Sequence, residues 1–434
     1  MTSAEATAER GSRLLGGGAA LLLGTGLANI GNYLFNLVLG RWLGPALFAQ
    51  LNAVVMLSLA AALLTQMLQM LAARYAARYA AAPGQAALAG LAGLRRWLLA
   101  WAWRLGAALG IACAAGAGLL ARFFHTGSPW PFVILGLGLP CYLAQAVERG
   151  VLQGQTRFAM LALSYQAEMW ARLAIALALV ALGWAVNGAV AAIALSFVAT
   201  WLVARRAARR LPPAEALSAG RRRAIARYAL PVGAALAGQA LINYSDVAVV
   251  AHFFAAEEAG WYGALALIGR IVFFASWTLV AALFPLAARR QRHGQPHRWL
   301  LSLALAGVAL IAALALAAML AAPEAIVRGL FGAPFVAVAP LLAHYTGATA
   351  LYALANVIAS YRLALGQRTG GYLMLLGGLA QAALLYARHE TLRQVVLWQL
   401  ALMAGLLVLL LAWDAWRLTQ AGEARAYGQS AERR

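Results

Sequence analysis

Charge is scarce in this chain of 434 residues, and lysine does not occur at all. Charged residues make up 11% of the sequence, and only 13 of them are acids. A soluble domain of this length needs a largely polar and charged surface, so the shortage excludes a soluble globular protein. Cysteine is scarce as well. Cys113 and Cys141 have no metal-ligand spacing and need not pair, so we predict neither a metal centre nor a disulfide framework.

The sequence is instead rich in long apolar runs. Hydrophobic residues make up 64% of the chain, and the mean hydropathy is +0.76. Runs of about 20 residues, enough to cross a hydrocarbon core of ~30 Å, recur from end to end. In lipid the backbone must satisfy its own hydrogen bonds, so these runs are predicted to be helices. The sequence therefore predicts an all-α polytopic membrane protein of about 12 transmembrane helices, at residues 15–39, 46–71, 97–120, 131–152, 158–182, 184–204, 228–254, 261–287, 299–321, 338–364, 371–386 and 395–416.

Arginine is distributed unevenly between the segments that join these spans. One set of alternate loops holds most of the arginines, including those near Arg74, Arg205 and Arg289. The opposite set holds only Arg41, Arg122, Arg328, Arg388 and Arg393. Such a bias places the Arg-rich loops and both termini in the cytoplasm. The composition is also strongly biased to Ala, Arg and Leu, which suggests a GC-rich bacterial genome, so we predict a bacterial inner-membrane protein. We attribute the net charge of +21 to topology and to anionic lipids at these loops, and expect no nucleic acid partner.

The predicted spans fall into two halves on either side of an Arg- and Pro-rich segment. We predict five regions: a cytoplasmic N-terminal tail at 1–14, an N-lobe at 15–204, a basic cytoplasmic linker at 205–227, a C-lobe at 228–416 and a cytoplasmic tail at 417–434. The halves are weakly similar, since Asn32-Tyr33 aligns with Asn243-Tyr244. With six spans each, they are parallel repeats, an arrangement that usually encloses a central cavity.

The first candidate site lies in the C-lobe, because ionisable groups inside a span are costly and mark functional positions. Asp246 shares a helical face with Gln239 and Asn243 in span seven. Arg270 lies in span eight, at the same distance from the connecting loop as Asp246, so the two side chains are expected at one depth. They form either a structural ion pair or a site where Arg270 meets a phosphate while Asp246 accepts a proton, an ion or the arginine.

The second candidate site lies in the N-lobe. Glu168 and Arg172 are four residues apart in span five, a spacing that places them on one helical face. Span one carries Asn32 and Asn36 on a single face, either as amide contacts between helices or as a wall that binds sugar hydroxyls. Glu148 and Arg149, near the cytoplasmic end of span four, are expected at the membrane interface.

No sequence feature predicts catalysis. The segments outside the membrane are too short for a soluble catalytic domain, and a Gly-rich phosphate loop of the Walker type is missing. We therefore expect no enzyme activity and no cofactor. Energy for transport would come from an ion gradient, the membrane potential or substrate flow.

Four segments resemble the polysaccharide biosynthesis export proteins, also called oligosaccharide or O-antigen flippases. They are Leu39-Gly40-Arg41-Trp42-Leu43-Gly44-Pro45; the run 151–158 followed by Glu168 and Arg172; the run 243–254 with 257–262; and the run 330–332 followed by Asn356 and the run 365–368. The resemblance implies the fold of the MOP (multidrug/oligosaccharidyl-lipid/polysaccharide) superfamily, with two lobes around a V-shaped cavity. It implies flipping of undecaprenyl-pyrophosphate-linked glycans from the cytoplasm to the periplasm. Asp246, Arg270, Glu168 and Arg172 occupy positions where that family often places charges.

Three other functions remain open at this stage. A proton- or cation-coupled multidrug antiporter of the same superfamily needs only one acid, such as Asp246, and predicts resistance to cationic dyes. A membrane-bound glycan ligase or glycosyltransferase needs a large periplasmic loop or clustered acids, and the only aspartates in the chain are Asp246 and Asp414. A non-transporting partner in a polysaccharide synthase complex would not need buried charges.

Overall fold

The chain is almost entirely helical in the computed structural model, which describes residues 3–80, 84–207, 215–292, 295–365, 367 and 369–431. Within those ranges the secondary structure consists of fourteen α-helices and one 3₁₀-helix. The predicted all-α class is confirmed. The helices are α1 Ser3–Ala80, α2 Gln85–Ala115, α3 Ala117–Phe123, α4 Trp130–Gly154, α5 Phe158–Ala181, α6 Ala185–Ala207, α7 Ala219–Phe253, α8 Ala256–Gly269, α9 Ile271–Arg292, α10 Arg298–Ala321, α11 Pro323–Leu330, α12 Leu342–Ala364, α13 Thr369–Ala387 and α14 Leu392–Ala431, with the 3₁₀-helix Ala333–Leu341 before α12.

Each predicted span falls on helical residues, although three of the spans are divided between consecutive helices. Spans one and two both lie in α1, which is broken at Gly44, where φ is 69° and ψ is 173°. Glycine adopts this conformation without the steric cost of a side chain, and Pro45 follows it. Span eight is divided between α8 and α9 at Arg270. In the described residues, nine helical segments are long and apolar enough to cross a membrane, so the chain is a multi-pass membrane protein.

Many of the basic residues lie on helices, although we expected them in loops. Arg74 and Arg78 belong to α1, and Arg95 and Arg96 belong to α2. Hydropathy marks where a span leaves the lipid, but the helix continues because alanine and arginine are both strong helix formers. The predicted linker 205–227 is also partly helical, since α6 reaches Ala207 and α7 begins at Ala219. Its residues 208–214, like 1–2 and 432–434 of the predicted tails, lie outside the described residues.

The chain packs into two compact units. Unit 1 comprises Met1–Leu236 with Phe254–Gly260, and unit 2 comprises Ala237–Phe253 with Trp261–Arg434. The change from one unit to the other falls inside α7, beyond the basic segment that we expected to separate the lobes. The described end of that segment packs on unit 1: the Glu215 amide donates to the Ala89 carbonyl at 3.1 Å, and Leu217 is buried.

Glycine allows α2 and α4 to approach closely in unit 1. A Cβ at Gly106 would lie 2.6 Å from Cα of Pro140, and a Cβ at Gly136 would lie 2.7 Å from the Gly110 carbonyl oxygen. Glycines four residues apart form a groove along α2 that receives the backbone of α4. In lipid such close packing is a main source of helix association, because apolar side chains gain little by leaving hydrocarbon for protein.

We predict that Gly110→Leu destabilises unit 1 by at least ~1–3 kcal/mol, because the added side chain has to displace the α4 backbone. Gly405→Leu is a matched control, since a Cβ at Gly405 in α14 meets no atom within 4 Å. Thermal unfolding of the purified variants in detergent measures both effects. Equal melting temperatures for Gly110→Leu and the wild type would contradict the α2–α4 packing described here.

Candidate functional site

The polar face of α7 forms a ladder with α12 inside unit 2. The three residues that the spacing places on one face each hydrogen-bond a polar side chain of α12. The pairs are Gln239 with Asn356 at 2.8 Å, Asn243 with Tyr352 at 3.1 Å, and Asp246 with Tyr345 at 2.7 Å. Residue numbers rise along α7 as they fall along α12, as expected for antiparallel helices. The structure therefore brings the predicted C-lobe residues together on one seam.

Asp246 is fully buried and accepts hydrogen bonds from several helices at once. Nη2 of Arg270 lies 3.1 Å from Oδ1 and 3.3 Å from Oδ2. The hydroxyls of Tyr345 and Tyr262 donate to Oδ2 at 2.7 Å and 3.2 Å, and Nε2 of Gln399 lies 3.4 Å from the same atom. A carboxylate offers about four acceptor positions, so this one is close to saturated. Asp246 thereby ties α7 to α8, α12 and α14.

Arg270 occupies the break between α8 and α9. The Gly269 carbonyl, at the end of α8, accepts a bond from Thr349 Oγ1 at 2.7 Å. The guanidinium carbon lies 5.1 Å from the ring centre of Tyr244, a cation–π contact. Arg270, Asn243 and Tyr352 also line a small pocket with room for about one water molecule. The predicted Asp246–Arg270 pair is therefore present, in a polar setting within apolar helices.

The predicted N-lobe residues also come together, apart from one. Nη2 of Arg172 lies 2.5 Å from Oε1 of Glu168. Nη1 of the same arginine donates to Oδ1 of Asn32 at 3.0 Å, and its Nε donates to Ser196 Oγ at 3.3 Å. Nδ2 of Asn36 donates instead to the Asn32 backbone carbonyl at 2.9 Å. Asn36 therefore supports the helix that carries Asn32, and no described contact joins it to the ion pair.

Arg149 completes this cluster. We expected it at the membrane interface, and the structure shows it buried within the protein. Its side chain is 7% exposed, and its Nη2 lies 2.8 Å from Oε2 of Glu168. Its Nε donates to Ser164 Oγ at 3.0 Å, and its guanidinium carbon lies 4.1 Å from the ring centre of Tyr165. Two arginines thus share the one carboxylate of Glu168.

Glu148 is buried as well. Its carboxylate accepts two bonds from Arg95 of α2, at 2.7 Å and 2.5 Å. Side chains at adjacent helix positions point to different faces, so Glu148 and Arg149 must find separate partners. That adjacency of opposite charges in an apolar helix was the available sign of burial. Hydropathy does not show which neighbouring helices cover the end of α4, so it could not predict burial of these two residues.

The two networks share a chemistry. Each places arginine beside amide and hydroxyl groups within apolar helices, an arrangement suited to phosphate oxygens and sugar hydroxyls. In the part of the chain that the structure describes, no group of three or more His, Cys, Asp or Glu side chains has a geometry that would hold a metal ion.

Comparison of the sequence with known families gives one match. Residues 14–291 match the family described as polysaccharide biosynthesis protein. No curated protein sequence matches the chain.

Several solved structures share the fold. An inward-facing multidrug resistance MATE family transporter of the MOP superfamily aligns with a TM-score of 0.78 at 16% identity, over 90% of this chain and 95% of its own. The lipid II flippase MurJ in an inward closed conformation aligns with a TM-score of 0.71 at 11% identity, over 91% and 87% of the two chains. A MATE protein in its straight conformation aligns with a TM-score of 0.65 at 17% identity, over 95% and 96%. The chain therefore shares its fold with these solved structures.

We predict that Asp246→Asn destabilises the protein by ~3–5 kcal/mol, because it leaves the charge of Arg270 buried without a counter-ion. Asp246→Asn combined with Arg270→Gln should be more stable than Asp246→Asn alone, since the double variant buries no charge at this site. Thermal unfolding in detergent tests the coupling. Additive losses from the two substitutions would show that the pair does not interact.

Proposed function

The chain belongs to the polysaccharide biosynthesis protein family, and on that premise we propose that it is a transporter that flips a lipid-linked oligosaccharide across the membrane. The substrate class is an undecaprenyl-pyrophosphate-linked glycan, moved from the cytoplasmic to the periplasmic leaflet for surface polysaccharide export. The Asp246–Arg270 network carries the proposal, because a helix bundle in lipid retains buried charge mainly where a charged substrate or ion has to pass.

Arg270 is the residue proposed to meet the phosphate. Both of its hydrogen bonds to Asp246 come from Nη2, so the ion pair uses one nitrogen of the guanidinium. A phosphate that engages the planar fork with two oxygens would compete with Asp246 for the arginine. The released carboxylate would stay bonded to Tyr262, Tyr345 and Gln399, which limits the cost of the exchange.

Transport is proposed to occur by alternating access between the N-lobe, residues 15–204, and the C-lobe, residues 228–416, around a central cavity. The proposed setting is the bacterial inner membrane, with anionic lipids at the Arg-rich cytoplasmic side and a polysaccharide polymerase or export complex as protein partner. Transport by this route needs no enzyme activity and no cofactor, since positions and affinities change but no covalent bond does.

A proton- or cation-coupled multidrug antiporter is the second candidate. The similarity of the fold to MATE transporters supports it, and Asp246 offers the single acid that such coupling requires. The family match favours the glycan substrate over this alternative, because it covers residues 14–291 of the sequence itself.

The test is complementation of a deletion strain with the wild type, Asp246→Asn, Arg270→Ala or Arg122→Gln. We expect deletion to abolish the surface polymer and lipid-linked repeat units to accumulate. Arg270→Ala and Asp246→Asn should reduce export at least ~10-fold, the loss expected when a charge-assisted contact is removed. Arg122→Gln, which removes an exposed arginine of α3, should complement fully. Immunoblots of membrane fractions confirm equal insertion.

Unchanged surface glycans in the deletion strain would reject the flippase assignment. Loss of resistance to cationic dyes in the same strain would then support the antiporter.

A further inference from the structure

Unit 1 contains more buried positive than negative charge. Between residues 10 and 214 the sequence holds only two acids, Glu148 and Glu168. The carboxylate of Glu148 is held by Arg95 through two hydrogen bonds. Glu168 is shared by Arg149 and Arg172, so one carboxylate faces two guanidinium groups. The cluster of these three residues, called here the Glu168 cluster, therefore carries a formal charge of +1.

An excess cation inside a membrane-spanning bundle is costly unless an anion compensates it. The side chains of Arg149, Arg172 and Glu168 are 7%, 16% and 15% exposed, so water compensates little of this charge. The other acceptors around them are neutral: Ser164, Ser196, Asn32 and the face of the Tyr165 ring. The polar groups of the cluster thus have hydrogen-bond partners, but its positive charge is not balanced.

We propose that the Glu168 cluster is an anion-binding site that takes the diphosphate group of the lipid-linked substrate, an inference that rests on the proposed function. Its chemical class is a phosphate ester or diphosphate, bound by charge-assisted hydrogen bonds from a guanidinium. The same chemistry is present in the headgroup of an anionic membrane lipid, so the test separates the two sources.

The two arginines have different roles at this site. Arg149 is the more buried, and its bonds to Glu168 and to both oxygens of Ser164 fix it in place. Arg149 is a positioning residue that holds one carboxylate oxygen of Glu168. Arg172 is more exposed and bonds the neutral groups of Asn32 and Ser196, which a phosphate oxygen can replace. Arg172 is therefore the residue that contacts the anion, and Glu168 competes with the anion for it.

This competition makes opposite predictions for two substitutions. Arg172→Gln removes the contact and should raise the Kd for a diphosphate about 10- to 100-fold. Glu168→Gln removes the competing charge and keeps the shape of the side chain, so it should lower the Kd. A purely structural cluster would lose affinity in both variants or in neither. Arg172→Lys keeps the charge and should fall between Arg172→Gln and the wild type.

The experiment measures binding to the full-length protein in lipid nanodiscs by isothermal titration calorimetry. The probes are farnesyl diphosphate, inorganic pyrophosphate and phosphatidylglycerol, and Arg122→Gln is the control for loss of one arginine in unit 1. We expect farnesyl diphosphate to bind the wild type and Arg122→Gln equally, Arg172→Gln weakly, and Glu168→Gln more tightly.

Equal affinity of Arg172→Gln and the wild type for farnesyl diphosphate would overturn this inference and leave the proposed function intact. Displacement of farnesyl diphosphate by phosphatidylglycerol at comparable concentrations would also overturn it, because the site would then belong to membrane lipid. No binding of either diphosphate to the wild type would reject the proposed function together with the inference.

Discussion

A buried carboxylate in a bundle of apolar helices has to be matched by donors, and in unit 2 Asp246 imposes this requirement on its surroundings. Water and lipid offer no compensation at full burial, so the donors come from the protein. Arg270 supplies the charge, and Tyr262, Tyr345 and Gln399 supply neutral hydrogen bonds from α8, α12 and α14. The helix break at Arg270 fits the same arrangement, because Thr349 bonds the carbonyl of Gly269 at that point.

Unit 1 meets the same physical requirement with a different balance. At Asp246 in unit 2, one acid meets one arginine, and that network is neutral. In unit 1 the single carboxylate of Glu168 meets Arg149 and Arg172, and the remaining acceptors are uncharged. A neutral network needs no ligand to balance its charge, whereas a network with an excess of one positive charge does. The proposed roles differ accordingly: the Asp246 site exchanges partners, and the Glu168 cluster attracts an anion.

Much of the fold was predictable from the sequence because burial in lipid constrains composition directly. A span must be about 20 apolar residues long, so the apolar runs located by hydropathy fall on helices. The spacing of polar residues on α7 predicted a shared face for Gln239, Asn243 and Asp246. Helix ends were less predictable, since α1, α2 and α7 continue beyond the apolar runs. The helix break at Arg270 was not predictable from hydropathy, since the apolar run continues through it.

The sequence by itself determined the all-α class, the apolar spans and two of the acids that need partners inside them, Glu168 and Asp246. These follow from local composition, since each residue alone bears the cost of entering lipid. Only the tertiary structure decided that Arg149 pairs with Glu168 and that Glu148 pairs with Arg95. Adjacent residues on a helix face different neighbours, and which helix lies on each side depends on packing between segments far apart in the chain. The charge balance of each site is a sum over such neighbours, so it exists only in the folded protein.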